Sequence, residues 1–309
     1  MFAKDIAGYC YYHPNYWQTQ ARINTLINRF LSFEILTAAV ADLPTQFANP
    51  HVRPWQRLAI DAIQPEQIIG MDSEQFYRML RMFADIEEPI RGYSKESRDY
   101  TLKAHPQFAR FIGGIYDEHD RITEVGVWEK EERRHGPLYK RLYCQLTQNK
   151  FESQPHSVSN HLIQGDSLDR IGAHLMSRIT TEWSACAGYI WLMSHCTGEL
   201  QKAIAQILQD EVNHLAKFWG FTRWELQYSF FQCIRHGTIE LIKLFLFHRN
   251  ERSETREGSS PEHWQEIIET IFAFNRVVIQ LYRWNKTLKP DLLNEIFGDR
   301  QMPKNLVLN

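Results

Sequence analysis

Long stretches with helical periodicity fill most of this 309-residue chain. Apolar residues recur in them at spacings of three and four, which places these residues on one face of a helix. No stretch alternates polar and apolar residues as a half-buried strand does, and no hairpin dipeptide separates two apolar runs. The predicted helical segments are residues 17–43, 73–98, 106–148, 167–197, 198–247 and 261–285. The pattern therefore predicts an all-α fold.

Segments rich in proline or in charge separate the predicted helices, and such segments are typical of solvated loops. The predicted loops are residues 44–72, 149–166 and 249–261, and the tail after Pro290 is predicted to be irregular. At the start of the second helical segment, Asp72 or Ser73 suits the N-cap position. No internal repeat of solenoid length is present. The pattern of long helices is interpreted as one all-helical domain.

Charge and composition exclude several classes of protein. Lys and Arg total 35 against 37 Asp and Glu, so a nucleic-acid binder acting through bulk positive charge is not expected. No apolar run approaches the roughly 18 residues of a membrane span, and the N-terminus lacks the apolar core of a signal peptide. The five cysteines (Cys10, Cys144, Cys186, Cys196 and Cys233) form no CxxC pair. They are interpreted as reduced thiols of a cytoplasmic protein.

Two Glu-x-x-His pairs occur in the chain, Glu132 with His135 and Glu211 with His214. Random placement of its 24 Glu and 13 His would give about one such pair, so the number of pairs proves nothing. Their positions are more informative, because residues three apart share a helix face. The aligned apolar residues are Val125, Trp128, Tyr139 and Leu142 for the first pair and Ile204, Ile207, Leu208, Leu215 and Phe218 for the second. Both pairs are therefore expected to face the interior.

Two more glutamates lie on apolar stripes, Glu182 with Ile179 and Glu87 with Phe83. A buried carboxylate is costly unless a cation or a hydrogen-bond donor accompanies it. The order Glu, Glu-x-x-His, Glu, Glu-x-x-His is the ligand set of a carboxylate-bridged two-metal site in a four-helix bundle. Oxygen-rich ligation with one imidazole per metal suits iron or manganese better than structural zinc. The alternative is a set of buried Glu–His hydrogen bonds that only pair the helices.

The chain resembles the soluble acyl-carrier-protein (acyl-ACP) desaturases at these residues. Residues 128–136, WEKEERRHG, resemble the W-x-x-E-E-N-R-H-G motif of that family, and residues 210–214, DEVNH, resemble its D-E-K-R-H motif. Residues 86–89, IEEP, resemble its E-E-A-L-P segment, and Trp55-Gln56 resembles the W-Q pair upstream of it. The resemblance extends from about residue 50 to residue 220. It implies a ferritin-like four-helix bundle with additional helices.

Together with the single-domain interpretation, this resemblance leads to the expectation of one di-iron domain over residues 1–309, in three parts. These are an N-terminal helix and loop (1–72), a metal-binding bundle core (73–220) and a C-terminal helical extension (221–309). The implied iron ligands are Glu87, Glu132, His135, Glu182, Glu211 and His214, with manganese as the alternative metal. Glu132 and Glu211 would bridge the two ions.

A surface Trp, an Asp and the first ligand His form an electron route in the desaturase family. The corresponding residues here are Trp55, Asp210 and His135. Without the resemblance, Asp210 is interpreted as a residue that orients a ligand histidine, and Trp55 as a packed loop aromatic. Both interpretations stay open at the level of the sequence.

The resemblance implies an oxygen-dependent enzyme that abstracts hydrogen from an unactivated C–H bond. A fatty acyl chain on a carrier protein is the substrate expected from the family. The expected partners are dioxygen, a ferredoxin-like electron donor, an acyl carrier protein and, as a family expectation, a second copy of the chain in a homodimer.

The sequence departs from the family at two places near the expected ligands. The proline after Glu87 follows it closely, so Glu88 is an alternative first ligand, although the apolar stripe favours Glu87. Where the family has a threonine one turn after its counterpart of Glu182, this chain has Ala185 followed by Cys186. Cys186 is interpreted either as a participant in the chemistry or as a small core residue. Because a hydroxyl group is missing there, oxygenation stands beside desaturation as the expected reaction.

Other bundle proteins use similar ligands. A di-iron hydroxylase, an aryl-amine N-oxygenase, a Mg-porphyrin ester cyclase and a non-enzymatic ferritin-like iron-binding protein are the alternative functions. A ribonucleotide-reductase radical subunit has a longer spacing between its first Glu-x-x-His pair and the next glutamate, and ferritins are shorter chains.

Four basic residues lie off the metal stripe: Arg133, Arg134, Lys140 and Arg141. They are interpreted as a solvated face or as a docking face for an acidic carrier protein or ferredoxin.

Overall fold

A computed structural model describes residues 4–9, 11–152, 167–226 and 261–299. Helices dominate these residues, which confirms the all-α prediction. The first half contains α1 (Tyr16–Phe30), α2 (Phe33–Ala41), α3 (Leu43–Ala48), α4 (Ser73–Glu87), α5 (Ile90–Thr101), α6 (Pro106–Gly113), α7 (Val127–Glu132) and α8 (His135–Thr147). The second half contains α9 (Ser167–Ser194), α10 (Gly198–Leu226), α11 (Pro261–Asn285) and α12 (Pro290–Phe297). The ferritin-like bundle and the single domain stay predictions.

Side-chain caps fix the start of several helices. The Asp72 side chain accepts a hydrogen bond from the Gln75 backbone N–H at 3.1 Å, so the predicted cap of α4 is confirmed. Asn15 and Gln18 form a reciprocal capping box at the start of α1. Ser32 caps α2. This last cap divides the predicted 17–43 segment, because a new helix begins after only two intervening residues.

Two other predicted helices are also divided. The 73–98 segment breaks between α4 and α5 at Pro89, which has no backbone N–H to continue the helical ladder. The 106–148 segment breaks into α6, a short hairpin, α7 and α8, so its prediction as one helix is wrong. Gly114 begins the hairpin with φ +82°, and a Cβ atom there would lie 1.8 Å from the Glu124 carbonyl oxygen. Only glycine fits this close approach.

Two short antiparallel ladders accompany the helices. Strand β1 (Lys4–Asp5) pairs with β2 (Gly8–Tyr9), and β3 (Ile115–Tyr116) pairs with β4 (Ile122–Glu124) through an irregular register. The expectation of no sheet is therefore wrong at these two places. Strands of two or three residues are too short to display the alternation on which that expectation relied.

The predicted loop at 44–72 and the predicted irregular tail both contain helical structure. The loop holds all of α3 except its first residue, and two 3-10 turns, Ile60–Ala62 and Pro65–Gln67. The described part of the tail forms α12, so the prediction is wrong there: Pro290 occupies the first turn, where its missing N–H costs nothing. Residues 300–309 lie outside the described residues. Residues 153–166 and 227–260 lie outside the described residues. They include most of the predicted loops 149–166 and 249–261 and the end of the 198–247 helix.

The helices that carry the candidate ligands pack on one another. Helix α9 lies against α10 and α11, α8 lies against α4, and α2 covers part of α10. Large aromatic residues fill the interior between them, among them Trp128, Tyr139, Tyr189, Phe76 and Phe218. An unusual number of ionisable side chains is buried in the same region: Glu129, Glu131, Glu132, His135, Glu182, Asp210, Glu211 and His214. Such a concentration of buried ionisable side chains is typical of a functional site.

Two further properties bear on the sequence predictions. Across the described part of the chain, no helix is both long enough and apolar enough to cross a membrane. Cys144, Cys186 and Cys196 are free thiols. Cys10 and Cys233 lie outside the described residues.

Candidate metal centre

The structure brings all six predicted ligands together in two overlapping groups. Each group offers four ligand atoms that lie within 4.8 Å of one another. The first group is Glu87, Glu132, His135 and Glu211, and the second is Glu132, Glu182, Glu211 and His214. The shared members are Glu132 and Glu211, the two residues expected to bridge. The arrangement therefore suits two adjacent cations with one imidazole each.

Four segments of the chain supply these side chains. Glu182 lies within α9, and Glu211 and His214 lie one turn apart within α10. Glu132 is the last residue of α7 and His135 is the first residue of α8, so this pair spans a junction between helices. The two intervening residues keep right-handed helical angles, with φ −59° and ψ −12° at Arg133. The pair consequently still points to one side, as the i, i+3 spacing predicts.

The imidazole Nδ1 atoms face the carboxylates at short range. His135 Nδ1 lies 3.1 Å from Glu211 Oε1 and 3.3 Å from Glu132 Oε2. His214 Nδ1 lies 2.7 Å from Glu132 Oε1. The terminal glutamates lie farther out, with Glu87 Oε1 at 3.8 Å from His135 Nδ1 and Glu182 Oε2 at 3.8 Å from His214 Nδ1.

Four of these facing atoms have no hydrogen-bond partner, although they are buried and close together. They are Glu132 Oε1, Glu211 Oε1, His135 Nδ1 and His214 Nδ1. Native proteins leave few buried polar atoms unsatisfied, and each one calls for an explanation. Metal ions held by the two groups would supply the missing partners for all four atoms. The donor set of each group is rich in oxygen and includes one imidazole nitrogen.

An outer carboxylate meets the far nitrogen of each histidine. His135 Nε2 lies 3.2 Å from Asp210 Oδ2, and His214 Nε2 lies 2.9 Å from Glu131 Oε2. Such carboxylate–histidine pairs orient metal-bound imidazoles and raise their basicity. The sequence interpretation included Asp210 but missed Glu131. The available signal was its position directly before Glu132 in the Glu-Glu doublet.

Trp55, Asp210 and His135 are in direct contact, as an electron route through them requires. Trp55 Nε1 donates to Asp210 Oδ2 at 2.8 Å. The Trp55 ring lies parallel to the His135 ring, with 6.2 Å between their centres. Trp55 is partly exposed and comes from the segment between α3 and the first 3-10 turn. The chain therefore has a continuous contact path from its surface to the cluster.

Glu87 and Glu88 point in different directions. Glu87 lies in the cluster, and the hydroxyl of Tyr189 donates to its Oε1 at 3.2 Å. The Glu88 side chain is 40% exposed and accepts a hydrogen bond from Lys140 Nζ at 2.5 Å. Glu87 is therefore the one of the two that is available to a metal ion. Tyr189 is thus a further contact of the cluster.

The basic stretch is not a uniform solvated face. Arg134 Nη2 donates to Asp210 Oδ2 at 2.8 Å, and its guanidinium group lies over the Trp55 ring at 4.6 Å. Arg133 pairs with the buried carboxylate of Glu129. Arg134 therefore belongs to the surroundings of the metal centre, which the sequence interpretation missed because the residue falls between stripes.

Burial and mutual charge shift the pKa values of the cluster. Burial, together with the charge of Glu132, raises the pKa of Glu87 to about 7 and that of Glu182 to about 7. Burial also raises the pKa of Glu132, but the adjacent charges of His135 and His214 outweigh it and hold that pKa low. In a chain without bound metal, the carboxylates thus share protons that a cation would replace.

Cys186 follows Glu182 by one turn on α9 and is fully buried. Burial, reinforced by the negative charges of Glu211 and Glu182, raises the pKa of its thiol well above the ordinary value. The thiol therefore stays protonated, which does not favour a nucleophilic role. A catalytic part for Cys186 remains a prediction.

Comparison with known proteins finds no relative: no family model, no curated protein and no solved structure matches the chain.

Proposed function

We propose that this protein is a di-iron, oxygen-dependent oxidoreductase with a ferritin-like bundle around its metal centre. The observation that carries the proposal is the pair of four-ligand groups that share Glu132 and Glu211. Two bridging carboxylates, one imidazole and one terminal carboxylate per ion give an oxygen-rich centre suited to iron, with manganese as the alternative metal. The resemblance to acyl-ACP desaturases supports the same assignment.

Two iron ions bound here would supply the electrons that reduce dioxygen to an oxidant able to remove hydrogen from an unactivated C–H bond. The protein residues would bind the two ions, orient the histidine ligands and shield the centre from water. Trp55 and Asp210 connect the surface with His135, and a ferredoxin-like donor would deliver electrons there. The buried aromatic residues around the centre exclude water, which protects reactive species from side reactions.

The proposed substrate is a fatty acyl chain bound to an acyl carrier protein, in a cytoplasmic, homodimeric enzyme. This part of the proposal rests on the sequence resemblance. Loss of two hydrogens would make the enzyme a desaturase, and gain of one oxygen atom would make it a hydroxylase. The absence of the family's threonine beside Glu182 leaves both products within the proposal.

Metal content tests the centre. The purified protein is expected to bind two iron ions per chain, and Glu132→Ala and Glu211→Ala are expected to lose both, because each carboxylate belongs to both ligand groups. Glu199→Ala is the matched control, since Glu199 lies on α10 as Glu211 does but pairs with the exposed Lys202. Inductively coupled plasma mass spectrometry gives the stoichiometry. Retention of both ions in the two bridging variants would refute the site.

Product analysis tests the reaction. The reduced, iron-loaded protein is incubated with dioxygen and acyl-carrier thioesters, and the acyl chains are analysed by mass spectrometry. A product lacking two hydrogens or carrying one added oxygen supports the proposed enzyme. Unchanged acyl chains together with growth of an iron mineral would instead assign the protein to iron storage.

A further inference from the structure

The two histidines of the metal centre share one arrangement. In each, Nδ1 faces the carboxylate cluster and Nε2 faces an outer carboxylate, Asp210 for His135 and Glu131 for His214. An outer partner fixes both the tautomer and the ring orientation of a metal-bound imidazole. Any residue that holds Asp210 and Glu131 in place therefore also governs the two imidazoles.

Arg53 contacts both outer carboxylates, through different parts of the residue. Its backbone N–H donates to Glu131 Oε1 at 2.6 Å, and its side-chain Nε donates to Asp210 Oδ1 at 2.6 Å. Hydrogen bonds to ionised carboxylates are stronger than bonds between neutral groups. Arg134 also donates to Asp210, at 2.8 Å, but its guanidinium group lies 3.9 Å from Glu131. Arg53 therefore forms the closer connection between the two.

Further contacts fix Arg53 itself. Its guanidinium group donates to the Gln206 carbonyl oxygen and to the Gln209 side chain on α10. Its own carbonyl oxygen accepts a hydrogen bond from Arg134 Nη1 at 2.8 Å. Pro54 follows it and restricts Arg53 to extended backbone conformations, which keeps the N–H and the side chain directed towards different partners. The side chain is only 20% exposed, so water competes little for these bonds.

We propose that Arg53 is a positioning residue that sets the orientation of both metal-binding histidines through Glu131 and Asp210. The inference rests on the metal centre of the proposed function. It adds a residue that contacts the outer carboxylates, on the side of each histidine that faces away from the metal ions. The guanidinium arm acts on the His135 position and the backbone arm acts on the His214 position. The two arms are separable, because a side-chain substitution leaves the backbone N–H in place.

Cobalt(II) titration of the full-length chain tests this separation, since the visible absorption of cobalt reports ligand geometry. Arg53→Ala is expected to weaken one of two cobalt positions by about 10–100-fold and to shift its absorption band. The other position is expected to keep its affinity. Arg53→Lys retains a charged donor for Asp210, so we expect a smaller loss of affinity with a shifted band. Arg57→Ala is the matched control, because Arg57 is an exposed arginine of the same segment.

Circular dichroism and thermal unfolding separate a positioning role from a structural one. Near-native unfolding temperatures with the altered cobalt position support the proposal. Equal affinities and spectra in Arg53→Ala and the unsubstituted protein overturn it, even if the oxygen chemistry proves correct. If Arg53→Ala does not fold, Arg53→Lys decides: a shifted band supports the proposal and an unchanged band overturns it. Binding of two cobalt ions, together with no acyl product from the reduced, iron-loaded protein, would refute the proposed reaction alone.

Discussion

Two neighbouring glutamates illustrate what a single residue decides at the metal centre. Glu87 ends α4 and faces the cluster, whereas Glu88 turns outwards to Lys140. Both have the same chemistry, so only their direction distinguishes a ligand from a surface ion pair. An exposed ion pair contributes little to stability. The two residues therefore form a natural test pair.

Glu87→Ala is expected to weaken one metal position by at least about tenfold, because that position loses its terminal carboxylate. The bridging residues and His214 leave the other position intact, so about one metal ion per chain should survive dialysis against a weak chelator. Glu88→Ala is expected to retain both ions. Metal analysis after dialysis measures the difference. Equal retention in the two variants would contradict the assignment of Glu87.

Helical spacing and burial were sufficient to find the six residues of the cluster. A carboxylate or imidazole on an apolar stripe is costly, and that cost is visible in the sequence. The outer residues carry no such signal. Arg53 lies in an extended segment without periodicity and meets Asp210 across 157 positions of the chain. A contact of this kind depends on tertiary structure, which spacing along one helix does not encode.

At the scale of elements, periodicity located the helices but not their interruptions. The junctions after α4 and α7 occupy only two residues each, and the residues at both keep helical angles in part. The apolar stripes therefore continue almost unchanged across them. Both junctions lie next to predicted ligands, Glu87 and Glu132.

The contact between α2 and α10 depends on a glycine. A Cβ atom on Gly220 would lie 2.9 Å from Val40 Cγ1, and both residues are buried. Gly220→Ala is therefore expected to destabilise the protein by about 1–3 kcal/mol through overpacking, despite the better helix propensity of alanine. Combining it with Val40→Ala should restore part of that loss. Urea unfolding of the two single variants and the double variant measures the coupling.

Gly92→Ala supplies the control for this cycle. Gly92 lies on α5, and no atom lies within 4 Å of the position that an added Cβ atom would take, so alanine there should stabilise by about 0.5–1 kcal/mol. Strictly additive effects of Gly220→Ala and Val40→Ala on the free energy of unfolding would show that the added methyl group does not clash with Val40.

At the scale of the whole molecule, the candidate metal centre would connect the chain in a different way from the remainder of the core. The six cluster residues connect α4, the α7–α8 junction, α9 and α10. Elsewhere, hydrogen bonds between residues of the chain connect the helices. Arg22 of α1 donates to the carbonyl oxygens of Ser194, the last residue of α9, and of Cys196 just after it. Trp284 of α11 donates to Thr37 of α2. The apolar core is also extensive, so the fold does not depend on metal alone.

Metal removal should therefore lower the stability of this protein without unfolding it. A ligand that binds only the folded state stabilises it by about 2.7 kcal/mol per site at a concentration of 100 times Kd. We expect cobalt or ferrous iron to raise Tm by several degrees relative to the chelator-treated protein, which should keep its helical circular dichroism. Glu132→Ala should show no metal-dependent shift, because it lacks a ligand common to both positions. An equal Tm with and without two bound ions would mean that the metals do not connect the four helical segments. Loss of helicity on chelation would mean that metal, rather than apolar packing, holds the helices together, as in small zinc-dependent domains.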